Sequence, residues 1–384
     1  MQTYLPRSTK IGILGGGQLG KMLVQEAARF DMDLSFLDPS DACPVSKISN
    51  SFVCGDFNHY EDVLNFGRQM DVVSVEIEHV NVEALRRLEI EGVHVYPQPN
   101  VLSLIQDKGL QKQFYREHGL PTAPFDLFDD MESLRFAIES NAVAFPFVAK
   151  LRTGGYDGRG VFILSRPEQL GQVPDVPIVA ESLAGIDKEI AVIVARDRHG
   201  NTKAYSPVSM EFHPEANLVE DIVCPAEIPA NAAESATRIA LKAAECLGVT
   251  GLLAVEMFFN KDGSLWINEM APRPHNSGHL TLNNGAASQF ENHLRILCDL
   301  PLGSGTWKLN SMMVNLLGEP GHEGPAVYQG LDEILTLPGV HLYLYGKDQT
   351  RSHRKMGHVN ITGDSLESCR QTARTIRKKV KITT

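Results

Sequence analysis

No stretch of this 384-residue chain reaches the roughly 18 uninterrupted apolar residues that a membrane span needs, although 43% of it is hydrophobic. The opening residues, MQTYLPRSTK, lack the apolar core of a secretory signal. Basic residues are also in short supply, with 36 Lys and Arg against 47 Asp and Glu and a formal charge of −11. That balance argues against nucleic acid as the main partner, because a phosphate backbone needs a basic face. It leaves room for a local basic pocket that takes a small phosphorylated molecule. The six cysteines are scattered, with no C-x-x-C pair and no zinc-like cluster. Reduced thiols in a soluble cytoplasmic protein, away from any membrane, are the simplest reading. Repeats, low-complexity tracts and a Walker A pattern are absent as well.

What is present is too long for one compact core and predicts two or three domains. Over the first hundred residues strand patterns (KIGIL, LSFLD, DVVSVE, VHVYP) alternate with helical ones (QLGKMLVQEAARF, HYEDVLNFGRQM, NVEALRRLEIEG). Such alternation predicts a parallel sheet with helices on both faces, a Rossmann-like α/β unit. YPQPN at 96–100 marks a boundary, and DKGLQKQFYREHG beyond it reads as a polar amphipathic helix. Hairpin signals follow (FPFVAKLR, GVFIL, PIVAES, KEIAVIVARD), interrupted by one helix at about 230–248, so the middle of the chain reads as α+β. After LPLGSGTW a small last segment holds strands near 310–316, 340–345 and 357–361 and a closing helix.

Three segments carry chemistry. In IGILGGGQLGKML, Gly15, Gly17 and Gly20 have the spacing G-x-G-x-x-G, and Asp38 ends the next strand about 20 residues on, where a dinucleotide's ribose would be held. The physical content is broader: a tight turn, and a helix N-terminus offering free N–H groups to an anion. A nicotinamide cofactor, another phosphorylated ligand and plain strand–helix packing all fit this loop. The second segment is VEMFFNKDGSLWINEMAPRPHNSGH. Asp262-Gly263 predicts a two-residue turn with Lys261 opposite Ser264, which sets Glu256 directly opposite Glu269. Like charges facing across a sheet repel, and the flanking residues are apolar. A hard divalent cation shared by both carboxylates, with Asn268 as a further oxygen ligand, removes the penalty; Mg²⁺ is bound in this manner alongside substrate phosphates. An exposed hairpin with glutamates in water is the bland alternative. The third segment, FPFVAKLRTGGYDGRGVFIL, ends a strand in Lys150 and leads through Arg152, glycines and Arg159 into another strand. Its backbone N–H groups can cover phosphate oxygens while Lys150 and the arginines neutralise charge. A flexible turn with solubilising arginines is the alternative there.

A lysine before a glycine-rich loop, the stretch AESLAGIDKE and a final glutamate pair around a hairpin resemble the ATP-grasp superfamily. Within it the chain is similar to the N5-carboxyaminoimidazole ribonucleotide synthetases, through GGGQLG, RTGGYDGRG, NEMAPRPHNSGH and KMGHVNITG, in order from residue 15 to 363. The resemblance implies an N-terminal unit (1–103), a central two-part ATP-grasp unit (104–304) and a small C-terminal unit (305–384). It implies an ATP-dependent ligase of purine biosynthesis that carboxylates the amine of 5-aminoimidazole ribonucleotide with bicarbonate, by way of carboxyphosphate. Mg²⁺ is the implied ion, with Mn²⁺ as a substitute. For ATP the matching positions are Lys108 (often arginine in the family), Lys150, the loop Gly155, Tyr156, Asp157, Gly158, Arg159, Gly160 and Val161, the hinge Glu181, Ser182, Leu183 and Ala184, then Glu189, His213, Asn268 and Glu269. Glu256 and Glu269 match the metal ligands. Gln18, Glu76, His79, Tyr156, Asp157, Arg273, His275, Lys347 and Arg354 match the ribonucleotide and bicarbonate sites, with Asp157, Arg159, Arg273 and His275 expected to be catalytic. Under this resemblance the first glycine loop becomes a wall of the ribonucleotide pocket and Asp38 an ordinary strand-end residue.

A formate-dependent glycinamide ribonucleotide transformylase shares the RPH segment and is the nearest enzymatic rival; GGYDGRG favours the carboxylating family. A dead nucleotide-binding scaffold is the rival from another class, and the presence of Glu256, Glu269, Lys150 and Arg273 speaks against it. The resemblance also implies a homodimer, and the chain's end at Thr384 makes a separate polypeptide the expected mutase for the unstable product.

Overall fold

The computed structural model describes residues 9–155, 160–212, 218–285 and 287–384. The first unit runs β1 (Ile11–Leu14), α1 (Gln18–Arg29), β2 (Leu34–Asp38), β3 (Ser51–Cys54), α2 (Tyr60–Gly67), β4 (Val72–Val75), α3 (Val82–Ile90) and β5 (His94–Val95). Its five strands are parallel in the order β3-β2-β1-β4-β5. β1 and β4 are buried at every position, which is why both read as unbroken apolar runs rather than alternating ones. They are neighbours, so GGGQLG and EIEHVN leave the sheet side by side at its carboxyl edge, where open α/β sheets bind ligands.

α4 (Pro99–Ile105) and α5 (Lys108–Glu117) lead into the centre. Asp107 caps α5 by accepting from Gly109 N at 2.7 Å and Leu110 N at 3.2 Å. A small antiparallel sheet follows from β6 (Phe125–Phe128), α6 (Met131–Glu139), β7 (Phe147–Leu151), β8 (Val161–Leu164) and β9 (Ile178–Ser182), ordered β6-β9-β7-β8. Then come β10 (Ile186–Arg196), β11 (Thr202–Ala204), β12 (Val208–Phe212), β13 (Val219–Cys224), α7 (Ala230–Leu247), β14 (Gly251–Asn260), β15 (Leu265–Ala271), a 3-10 turn over Asn276–Leu282 and α8 (Gln289–Leu297). The chain finishes with β16 (Asn310–Leu317), β17 (Gly324–Pro325), β18 (Val327–Gln329), α9 (Leu331–Ile334), β19 (Val340–Leu344), β20 (Gln349–Thr350), β21 (Lys355–Gly363), α10 (Leu366–Lys379) and β22 (Lys381–Thr383). α6 and α8 add two helices to the single one expected in the middle of the chain. α8 has the i, i+4, i+7 apolar spacing of a helix in Phe290, Leu294 and Leu297, and polar Gln289, Glu291, Asn292 and His293 are buried with them.

The large sheet crosses the expected domain boundary. Its order is β15-β14-β10-β12-β13-β16-β21-β19, with β11 attached to β10, so the C-terminal strands continue the ATP-grasp sheet through β13 and β16. α7 lays Ala232, Ala236, Ala240, Ala243 and Ala244 on one face of this sheet. The small side chains let its axis approach Val192, Val194 and Leu253 closely. α8 packs Phe290 and Leu294 against Leu19, Met22 and Leu23 of α1 and thereby docks the first unit. Burying each such side chain contributes about 1.5–3 kcal/mol.

The hairpin at 251–271 corrects one expectation and keeps its consequence. The turn has three residues rather than two: Asn260 N donates to Ser264 O at 2.9 Å and Gly263 N to Asn260 O at 2.8 Å. Gly263 adopts φ 84°, the left-handed residue that closes such loops. The pairs beside the turn are therefore one residue out of the expected register, with Phe259 opposite Leu265 and Met257 opposite Ile267. A bulge at Asn268 restores the register, and Glu256 faces Glu269. The extra residue of a bulge leaves the pleat, and Asn268 turns its side chain across to Lys150.

Candidate active site

β7 and β9 of the small sheet face β10, β14 and β15 of the large one across a cleft, with α5 along its side. Lys150, on β7 and 8% exposed, donates to Asn268 Oδ1 at 2.8 Å and pairs with Glu181 Oε2 at 3.1 Å. Glu181, on β9, also meets Lys112 Nζ at 3.1 Å, so one buried carboxylate lies between two lysines. Burial lowers the Lys112 ammonium to about 8, with Glu181 opposing the shift. Lys108, one helical turn before Lys112, forms an ion pair with Glu269. Burial acts to raise the Glu269 carboxyl, but Lys108 and then Lys150 hold it below the usual range. Glu256 sits 3.1 Å from His275 Nε2. Glu189 shares the face of Glu256, and burial with the nearby Glu256 charge pushes it up to about 7.

These residues fit a hard divalent ion. Glu256, Glu269 and Asn268 offer only oxygen atoms, and the raised Glu189 registers an excess of negative charge that a cation would relieve. Among the described residues no group of three or more His, Cys, Asp or Glu forms a self-sufficient metal cluster, so such an ion would complete its shell with phosphate or water.

Arg273 is clamped rather than free. Its Nε and Nη2 fork onto the Glu78 carboxylate, Nη2 at 2.9 Å, and Nη1 donates to Pro274 O at 3.0 Å. Against the cost of burial, Arg273 draws the Glu78 carboxyl down to about 2. Three of the five guanidinium N–H groups are thus engaged, and two are left for an oxyanion. His275 is equally fixed: its backbone N–H donates to Gln289 Oε1 at 2.9 Å, its carbonyl accepts from Gln289 Nε2 at 2.7 Å, and Nδ1 lies 2.9 Å from Ser277 Oγ.

The first glycine loop answers its own anion site. Glu76, leaving β4, accepts from Gly17 N and Gly20 N, both at 2.6 Å, and caps α1. A Cβ at position 17 would lie 2.5 Å from Glu76 Oε1, which explains the glycine. Asp38 accepts from Gly16 N at 2.8 Å, so it clamps the loop instead of being an ordinary strand-end residue. The helix N-terminus is thus already filled by this chain's own carboxylate, which removes the basis for a dinucleotide there. Gln18 and His79 are half-buried on either side.

Lys347, in the loop after β19, joins this first-unit wall. It feels the Glu76 charge and donates to Lys355 O at 2.9 Å, while burial, followed by Arg354, lowers its ammonium to about 8. Arg354 donates to Gln349 O at 2.6 Å and lines a depression of about 380 Å³ with Glu323, Thr350 and Arg351.

Arg152 departs from expectation: it pairs with Asp107 at 3.0 and 2.7 Å and locks the start of α5 to β7 rather than serving phosphates. Gly155, Gly160 and Val161 flank the phosphate loop, with Gly160 at φ 76°. Tyr156, Asp157, Gly158, Arg159 and His213 lie outside the described residues. Ser182 N–H already donates to Pro124 O at 2.9 Å, leaving Leu183 (43% exposed) and Ala184 beyond the strand end. Sequence reasoning missed Glu78 and Lys112. Glu78 sits inside the quoted EIEHVN, and Lys112 follows Lys108 by four residues on one helix face; those were the available signals.

Two facing sheets, with Lys150 from one, Lys108 from the helix beside them and paired glutamates from the other, define an ATP-grasp fold. Models of three domains match in order: ribonucleotide synthetase preATP-grasp domain at 8–106, ATP-grasp domain at 113–290, and phosphoribosylaminoimidazole carboxylase C-terminal domain at 311–372. The chain is 36% identical to a Thermotoga maritima N5-carboxyaminoimidazole ribonucleotide synthetase structure, with a TM-score of 0.89 and coverage of 98% of this chain and 99% of that one. An Aspergillus clavatus N5-carboxyaminoimidazole synthase in complex with ADP and 5-aminoimidazole ribonucleotide is 30% identical, with a TM-score of 0.88 and coverage of 97% and 98%. The chain belongs to the N5-carboxyaminoimidazole ribonucleotide synthetase family. It is also 37% identical over 377 residues to the Saccharomyces cerevisiae phosphoribosylaminoimidazole carboxylase, where the match spans 95% of this chain but only 65% of that protein.

Proposed function

We propose that this chain carboxylates 5-aminoimidazole ribonucleotide at the expense of ATP. A bicarbonate oxygen attacks the γ-phosphorus, the bond to ADP breaks, and carboxyphosphate forms. The amine nitrogen then attacks the carboxyl carbon, phosphate leaves, and the nitrogen loses a proton to give N5-carboxyaminoimidazole ribonucleotide. The observation that carries the reading is Glu256 opposite Glu269 with Arg273 and His275 directly downstream on the same strand's exit. Lys108, Lys150 and the loop ending at Gly160 and Val161 hold the phosphates; Leu183 and Ala184 meet the base and Glu189 the ribose. Glu256 and Glu269, with Asn268, would hold Mg²⁺ or Mn²⁺, which supplies charge neutralisation of the phosphates. Arg273 presents its two remaining N–H groups to bicarbonate, and His275 orients Glu256. Gln18, Glu76, His79, Lys347 and Arg354 form the ribonucleotide side, the two cations facing its 5′-phosphate. Asp157 and Arg159, in the phosphate loop, act on the amine and the transferred group.

The same reading divides the chain near 103 and 304, and expects a homodimer in the cytoplasm whose labile product passes to a mutase. The test is ADP release with ATP and Mg²⁺, adding the aminoimidazole ribonucleotide and bicarbonate separately and together. Strong stimulation, with labelled bicarbonate entering an acid-labile product, is expected. Stimulation by glycinamide ribonucleotide and formate instead would overturn the substrate; no stimulation by any of them would favour a dead scaffold.

A further inference from the structure

α5 presents two lysines one turn apart, and each meets a carboxylate from a different sheet: Lys108 pairs with Glu269 of β15, and Lys112 with Glu181 of β9. Lys108 belongs to the nucleotide site already described. Lys112 does not: its side chain is 3% exposed and meets the Glu181 oxygen that Lys150 does not. Its ammonium also donates to Thr122 Oγ1 at 2.5 Å, and that hydroxyl donates to Ile267 O at 2.8 Å, one residue before Asn268. Lys112 therefore reaches one wall of the cleft directly and the other through Thr122 while staying buried itself.

The charge count gives this position a meaning. Glu181 is 4% exposed and sits 3.1 Å from Lys150 as well as 3.1 Å from Lys112. A lone Glu181–Lys150 pair would be neutral, and the phosphates would meet a lysine whose charge is already spent on a buried carboxylate. With Lys112 on the other oxygen, the three groups carry a net charge of plus one at the position where Lys150 faces Asn268. We propose that Lys112 is a positioning residue that shares the Glu181 carboxylate and so keeps the Lys150 charge available to the triphosphate. The proposal rests on the reading of the cleft as an ATP site.

The test uses the full chain. K112M removes the charge at similar side-chain length. Losing one charge-assisted contact to phosphate is expected to raise the ATP KM about tenfold while kcat changes less than about threefold. K112R keeps the charge beside Glu181, and its ATP KM is expected to stay within about threefold of the wild type. Rescue by the charge-conserving variant is the signature that a purely structural role would not give, since arginine matches the lysine's shape less well than methionine does and restores only the charge. A K112R enzyme as weak as K112M, or a K112M enzyme with an unchanged ATP KM, would overturn the proposal. If K112M does not fold, K112Q, whose amide can keep the contact to Thr122, carries the test by calorimetry. ATP affinity about tenfold below the wild type's then supports the proposal, and wild-type affinity overturns it. Wild-type protein that binds no ATP would overturn the ATP reading itself, a result visible before any substitution is made.

Discussion

The Arg273–Glu78 fork ties the exit of β15 to the first unit, and Glu78→Gln tests how much that tie is worth. Both side chains are about one-fifth exposed, at 18% and 21%, so solvent screens the pair little. The Glu78 carboxyl lies at about 2 against an ordinary 4.5. At ~1.4 kcal/mol per pH unit, that displacement corresponds to about 3 kcal/mol of stability. Breaking a buried pair by removing one partner costs about 3–5 kcal/mol, which agrees. Because the folded-state value is depressed, the stabilisation is fully present above pH 4.5 and fades as the pH falls toward 2. Urea unfolding followed by tryptophan fluorescence reports on it, since Trp266 lies on β15, the strand that leads to Arg273. At pH 7 the variant should unfold with a loss of about 3 kcal/mol, and near pH 2.5 the difference should shrink to about 1 kcal/mol. A loss below about 1 kcal/mol at pH 7, or a difference that persists undiminished in acid, would refute the assignment of this pair as a buried, charged clamp.

Glu269→Gln should abolish turnover by weakening the oxygen set for the divalent ion; wild-type rates at low Mg²⁺ would sink that role. Arg273→Ala should lower kcat by about a hundredfold while the ATP KM moves little, because its two remaining N–H groups face the transferred group. A defect confined to ATP binding would count against it. Lys347 carries its charge only below about pH 8, so the KM for the ribonucleotide should climb as pH rises through 8. Lys347→Gln should show a high KM at all pH values and lose that slope; a retained slope would assign the titration to another group.

Four of the first unit's five strands were readable because parallel strands buried on both faces leave unbroken apolar runs, and β1, β2 and β4 fall where those runs do; β3, exposed at three of its four positions, was not among the expected strands. The facing glutamates were readable through the Asp262-Gly263 turn, although the turn is one residue longer and the Asn268 bulge compensates. Neither deviation shows in the sequence by itself, because a bulge is decided by what lies across the cleft, here Lys150. Glu78 was hidden between the candidates Glu76 and His79 because its partner lies 195 residues away. Lys112, on α5, was hidden for the same reason, its partner sitting on β9. Glu76 was legible as an acidic residue after a strand, but not that its carboxylate would accept from Gly17 N and Gly20 N and occupy a helix N-terminus that appeared open. α8 does carry an amphipathic stripe in Phe290, Leu294 and Leu297; what its sequence hides is that the polar Gln289, Glu291, Asn292 and His293 are buried as well.

The join between β13 and β16 has a consequence for synthesis and for dissection of the chain. β13 carries buried Ile222, Val223 and Cys224, and among the described residues its outer edge bonds to β16, which leaves the ribosome many residues later. Until then that edge presents unpaired N–H and C=O groups, the template along which strands of other chains add. A fragment cut after α8 would keep every residue of the ATP cleft and still expose this edge. The C-terminal strands thus act as a seal on the catalytic sheet, and the nascent chain passes through a window of self-association that closes only when β16 arrives.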